Sequence, residues 1–158
     1  EVGFKEYNDI IQNPYHIFGS GSFTNINENK VEEVFYLLFK DTKYRAGISG
    51  GIRDNSFLSP FSAPFGGLMF VNNEIKLFQI EECVKCFIDW LKLNSVNACK
   101  IILPPSIYNE SFISKQVNVL YRYGFDIDNI DLNYSFNTLH FNDNYKNIIW
   151  RNSRKNST

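Results

Sequence analysis

Hydrophobic and polar positions along the chain follow two rhythms, and the change between them falls at Asn72 and Asn73. Ahead of that point, Glu33 to Phe39 is rich in β-branched and aromatic residues, Lys40 to Lys43 is polar, and a second run extends from Tyr44 to Ile52. Two such runs around a short polar break predict a β-hairpin. Gly47, Gly50 and Gly51 would weaken an ordinary strand, so they predict a bulge or the close approach of another backbone. Arg53 to Ser56 turns the chain into Phe57-Leu58-Ser59, and Leu68 to Val71 reads as the next strand of an antiparallel meander, beyond a loop of prolines and glycines. Past Asn73 the spacing turns to threes and fours: Leu77, Ile80, Val84, Phe87 and Leu91, widened by Cys83 and Ile88, predict the longest helix. Cys99 to Leu103 reads as a short buried strand halted by Pro104-Pro105, and Phe112 to Tyr123 as a second amphipathic helix stopped by Gly124. Ile130, Leu132, Tyr134 and Phe136 alternate with Asp131, Asn133 and Ser135, which predicts a half-buried strand. Upstream, Phe4, Tyr7, Ile10 and Ile11 predict a short helix ended by Pro14, with Tyr15 to Phe18 extended before a turn at Gly19-Ser20-Gly21. Tyr145, Ile148, Ile149 and Trp150 begin a last helix.

The order of these elements defines an α/β (α+β) fold: a mixed, mostly antiparallel central sheet with helices on both faces. At 158 residues the chain suits one domain with a substantial core. Sixteen Lys and Arg against seventeen Asp and Glu give a net charge of -1, which excludes a basic field for holding nucleic acid. No apolar run approaches the length of about 18 residues that spans a bilayer. Three cysteines, Cys83, Cys86 and Cys99, in a chain that needs no staples favour a reducing compartment, so a cytoplasmic location is expected. The chain starts at Glu1 without a methionine and stops in the polar run Arg151 to Thr158, as a piece of a longer protein would. Residues 1-141 are expected to form one lobe, and residues 142-158 to start a helix leading to a second.

Two stretches combine fixed φ, permitted positive φ and aromatic surface at strand ends. Ser59 to Gly67 holds two prolines, two glycines, Phe61 and Phe65, and Leu103 to Asn109 holds Pro104, Pro105 and Tyr108. A shaped loop suits a ligand rim, and it equally suits a bulge packed by its own aromatics. The Cys83 and Cys86 spacing has no second pair and no histidine beside it, so it reads as thiols buried in a helix, with no metal site. His16 and His140 stand alone in sequence and receive no catalytic role. Glu32, Glu33, Asp126, Asp128 and Asp131 read as a solvated face, and Tyr121 and Tyr123 as core positions or a candidate acid.

The element order, with Leu120-Tyr121-Arg122-Tyr123-Gly124-Phe125 ending the second helix, resembles the GNAT acyltransferase fold. Ser59 to Gly67 and Leu103 to Tyr108 further resemble the N-terminal half of FemAB-like proteins, in which two such lobes share one chain. The resemblance covers roughly residues 15-138. It implies an N-terminal lobe of an enzyme that transfers an acyl or aminoacyl group to an amine, completed by a C-terminal lobe of the same chain. It further implies a small-molecule acyl donor and amine acceptor, no nucleic acid and no membrane. No cofactor is legible in these residues, and the resemblance allows acyl-CoA in the full-length protein. Ligand contacts are expected from Ser59, Ser62, Gly66, Gly67, Pro104, Pro105, Tyr108, Asn109 and Tyr121, and no catalytic residue is assigned. Two departures weigh toward a second reading, a non-catalytic binding or structural module. Val71 to Lys76 lacks the glycines of a phosphate-binding turn and carries Glu74, whose charge repels an anion. Tyr121 lies three residues before Gly124, with Leu120 where the family's general acid stands.

Overall fold

The computed structural model describes residues 1-72 and 74-135. The chain divides into two compact units, residues 1-128 and residues 129-158. In the first unit the elements are α1 (Phe4–Ile10), α2 (Gly21–Ile26), β1 (Glu33–Lys40), β2 (Tyr44–Arg53), β3 (Ser56–Ser59), β4 (Met69–Phe70), α3 (Leu77–Leu93), β5 (Ala98–Ile101) and α4 (Glu110–Arg122), with 3-10 turns at Ile17–Gly19, Glu28–Lys30 and Ser106–Tyr108. It is an α+β fold around a mixed, mostly antiparallel five-stranded sheet.

β2 organises the sheet. Along its whole length it pairs antiparallel with β1, as the predicted hairpin requires, with an irregularity at Phe39 and Lys40. On its other side the far half pairs with β3 (Gly51 to Arg53 against Leu58 to Ser56), and the near half with β4 (Ala46 and Gly47 against Phe70 and Met69). β3 and β4 thus share one flank of β2, separated by the loop of residues 60-68. β5 joins β3 in parallel, from Ser56 opposite Ala98 to Ser59 opposite Ile101. The crowding that places glycine in β2 is clearest at Gly50, where a Cβ would stand 2.6 Å from the Leu58 carbonyl oxygen and 2.8 Å from Phe57 Cε1. The glycine signal therefore reports close approach.

Alternation along the strands buries both faces. Phe35, Leu37, Ala46, Ile48, Phe57 and Phe70 form one core with the stripe Ile80, Cys83, Val84, Phe87 and Leu91 of α3 and with Phe112, Val119 and Leu120 of α4. Tyr36 and Met69 point to the other face and pack with Tyr7 and Ile11 at α1. Phe57 meets the Phe87 ring edge-on at 5.2 Å, and Phe70 meets Phe112 at 4.7 Å.

Several expectations need correction. Leu77 is the first residue of α3 and is left exposed, because the core begins one turn further on, at Ile80. β5 is a half-exposed edge strand, since only β3 pairs with it. Tyr15 to Phe18 runs into a 3-10 turn, and α2 replaces the expected glycine turn, capped by the Ser20 hydroxyl accepting from the Phe23 amide at 3.2 Å. The predicted strand from Ile130 does not form over residues 129-135, where Ile130, Leu132 and Tyr134 are exposed. There Asn129 and Asn133 both donate to Asp131, local bonds that compete with strand pairing. Phe136, His140 and the expected helix from residue 142 lie outside the described residues.

Candidate functional site

The two stretches singled out for their prolines, glycines and aromatics meet at the end of the parallel pair. The Ile102 amide donates to the Ser59 carbonyl at 2.9 Å, and the Gly66 amide to the Ile102 carbonyl at 2.7 Å, so β5 continues along the folded-back loop and not along β4. Beyond the loop, β4 pairs with β2 and has no ladder with β5. Such a break at the carboxyl ends of parallel strands is where sheets of this kind open a crevice. Phe65 and Tyr108 close on one another here, with ring centroids 5.0 Å apart.

Each residue expected to touch ligand has a definite place. Ser59, on a cis bond to Pro60, is buried: its hydroxyl donates to the Ser49 carbonyl at 2.8 Å and accepts from the Gly67 amide at 3.2 Å. Gly66 has no room for a side chain, as a Cβ would lie 2.8 Å from the Pro60 nitrogen. Gly67 has φ +94° and faces Leu103. Ser62 is half-buried, accepts from Lys30 Nζ at 2.6 Å and donates to Asn27 Oδ1 at 3.2 Å. Pro104 is buried, and Pro105 leads into the turn that carries the exposed Tyr108. Asn109 is committed to α4, where its Oδ1 accepts from the Phe112 amide. Tyr121 is exposed on the last turn of α4, so it is not a core residue, and it lies outside the cavity lining. Tyr123 is half-buried against the core. Of the nine, Ser62, Tyr108 and Tyr121 carry hydroxyls that are not buried, and of these Ser62 and Tyr108 belong to the two stretches that meet here.

Beneath the loop lies a cavity of about 20 Å³, lined by Phe18, Phe23, Thr24, Ser49, Ser59 and Phe61 among others. It holds about one water, or the tip of a ligand group. Its buried hydroxyls are satisfied, with those of Thr24 and Ser49 2.9 Å apart. A larger open groove of about 400 Å³ between the end of α1 and the start of β2 contains none of the nine.

Two residues that sequence reasoning passed over are central. The fully buried side chain of Gln116 on α4 accepts from the Leu68 amide through Oε1 at 2.9 Å, and its Nε2 donates to Tyr15 Oη at 3.1 Å and to the Leu68 carbonyl at 3.3 Å. The signal was present: a polar residue on the apolar stripe of Phe112, Ile113, Val119 and Leu120. His16 is 5 % exposed, and neither ring nitrogen has a hydrogen-bond partner. Its imidazole stands edge-on to Tyr15 at 4.8 Å, Phe65 at 5.0 Å and Tyr108 at 6.1 Å, with Phe18 at 6.0 Å. Burial lowers its pKa to about 4, opposed in part by the Gly66 backbone. A lone histidine in sequence carries no such signal.

The cysteines supply no chemistry of this site. Cys83 is buried in the core, where desolvation pushes its thiol up to about 12, whereas Cys86 is exposed, which corrects the expectation of two buried thiols. Among the described residues, no three His, Cys, Asp or Glu gather as metal ligands, and no helix is long and apolar enough to cross a membrane. Compared with known proteins, the chain matches no family model, no curated protein and no solved structure.

Proposed function

We propose that this chain is one lobe of a GNAT- or FemAB-like acyltransferase, which moves an acyl or aminoacyl group to an amine and draws the remainder of its active site from a second lobe. The observation that carries this reading is the parallel pair β3/β5 in a sheet otherwise antiparallel among the described residues, with β4 paired to β2 and not to β5, and the Phe65–Tyr108 contact beside residues 60-68. In such a reaction the amine nitrogen attacks the carbonyl carbon of a thioester or ester, the new C–N bond replaces the C–S or C–O bond, and the proton lost from nitrogen ends on the leaving group. Positioning and amide donors toward the oxyanion carry that chemistry without a covalent nucleophile. Ser62 and Tyr108 are this lobe's ligand contacts. Thermal unfolding with acetyl-CoA tests the reading: ligand at 100 times its dissociation constant stabilises by about 2.7 kcal/mol. Absence of any shift, in this chain and in the chain extended past Thr158, would overturn it.

A second reading, a non-catalytic module on the same fold, is favoured by where the main-chain donors go. At the entry to α3 the Lys76 amide donates to Gln79 Oε1 at 3.0 Å, and the Glu74 amide to Asn72 Oδ1 at 2.8 Å. Amides that would meet a pyrophosphate are thus held by side chains. If this reading holds, Glu74→Gln brings no response to acetyl-CoA.

A further inference from the structure

We propose that His16 is an acid-released latch on the crevice: neutral, its ring pins together the segment Tyr15 to Phe18, the loop carrying Phe65 and the turn carrying Tyr108; protonated, it leaves, and the three part. It is independent of any acyltransferase activity. Three chain segments with no shared strand pairing converge on one imidazole, through ring contacts of 4.8 to 6.1 Å. Phe65 also meets Phe18 at 5.1 Å and Tyr108 at 5.0 Å, so the three part only if these ring contacts open with the histidine. Residues 17-19 and 106-108 are single 3-10 turns, and the loop is anchored at its ends by Ser59 and by the Gly66 amide.

The groups facing His16 decide what a proton does there. From its own segment come Tyr15 and Phe18, from the loop Phe65 and the Gly66 backbone, and from the turn Tyr108. Among the described residues no carboxylate, ammonium or guanidinium forms a hydrogen bond or salt bridge with the ring. Tyr15 Oη is taken by Leu68 and Gln116, and phenols carry no charge in the acid range. Lys30, which bonds the same loop at Ser62, adds like charge and not a counter-ion. A buried imidazolium would therefore have two N–H donors and only the Gly66 backbone to accept from them, leaving one N–H unpaired, a state that proteins avoid. Exposure to water is the available relief, and it requires the rings of Phe65 and Tyr108 to move.

Linkage sets the size of the effect. With the closed form titrating near 4 and an exposed imidazole near 6.5, the opening equilibrium rises about tenfold for each pH unit lost between those values, roughly 300-fold in all. The test is an NMR titration of this chain from pH 7.5 to 4, following the His16 ring, its contacts with Phe65 and Tyr108, and amide hydrogen exchange in residues 61-66 and 106-108. His140→Gln identifies the His16 signals. We expect ring contacts to vanish as His16 protonates, with exchange in both segments, taken relative to the intrinsic amide rate at each pH, accelerating about tenfold per pH unit lost between about 6.5 and 4 while β1 and β2 stay protected. In His16→Phe, and in His16→Gln should the former not fold, that acceleration is absent. Ring contacts that survive His16 protonation, or the same acceleration in both variants, would overturn the latch.

Discussion

The side-chain amide of Gln116 pairs with the main chain of Leu68 as a neighbouring strand would, accepting from its N–H at 2.9 Å and donating to its carbonyl at 3.3 Å. Leu68 immediately precedes β4, which has no strand ladder with β5. An unpaired strand edge buried at that point would leave a donor and an acceptor without partners. A glutamine from the helix above supplies both, and the Tyr15 hydroxyl, donating to the same carbonyl at 3.1 Å, completes the arrangement. The short β4 is thereby held at the mouth of the crevice.

Replacing Gln116 by leucine keeps the volume and removes both bonds. The Leu68 amide is then orphaned, at about 1 to 3 kcal/mol, while its carbonyl keeps the Tyr15 hydroxyl, so the variant should lose roughly 1 to 3 kcal/mol. Urea unfolding measures it, with an unchanged slope showing that the compactness of the fold is retained. A midpoint equal to the parent's would mean that the pairing contributes nothing.

Gly67 and Gly124 have nearly the same φ, +94° and +88°, yet different surroundings. A Cβ on Gly67 would stand 2.6 Å from Leu103 Cδ2 and 3.1 Å from Gln116 Oε1, whereas one on Gly124 meets nothing within 4 Å. Alanine at either position incurs the strain of a positive φ, about 1 to 3 kcal/mol. Gly67→Ala should cost at least about 1 kcal/mol more, because it also displaces the loop and the Gln116 amide. Comparing the two midpoints isolates that packing cost, and equal losses would refute it.

How much of this was readable beforehand follows the range of the forces involved. The α3 stripe from Ile80 to Leu91 and the β1/β2 hairpin are local patterns, so periodicity found them, including the break at Lys40 to Lys43. The meeting of Ser59 to Gly67 with Tyr108 was expected from the chemistry of strand ends, and the rings of Phe65 and Tyr108 touch. Which residues of those stretches are free was not readable. Ser59 and Asn109 are spent on Ser49 and on the α4 cap, and only tertiary contacts reveal it. The edge position of β5 was equally hidden, since Cys99 to Leu103 is as apolar as a central strand, and the sequence does not encode which neighbours are present.

Tyr108 is 43 % exposed, and its hydroxyl forms no hydrogen bond among the described residues, so Tyr108→Phe should leave stability within about 0.5 kcal/mol. Any ligand that bonds the hydroxyl should bind about 0.5 to 1.5 kcal/mol more weakly to the variant. Calorimetric titration of both proteins checks the second statement and thermal unfolding the first. A large loss of stability would show that the hydroxyl serves the fold.

Stability should depend on pH through His16, and the sign follows from its depressed pKa. In the fold the imidazole titrates near 4, and in the unfolded chain near 6.5, so between those values the unfolded state holds more protons. The contribution is therefore fully present above about pH 6.5, declines as pH falls through the window and is gone below about pH 4. Its total is of order 3 kcal/mol. His16→Phe removes the titrating group and two buried polar atoms without partners, so it should be at least as stable as the parent at pH 7.5 and progressively more stable in comparison toward pH 4.5. Urea midpoints for parent and variant at four pH values between 7.5 and 4.5 give the difference curve, in which His140 cancels because both proteins carry it. A flat difference would show that His16 is as well solvated in the fold as in the unfolded chain, and parallel loss in the two proteins would assign acid sensitivity to the carboxylates instead.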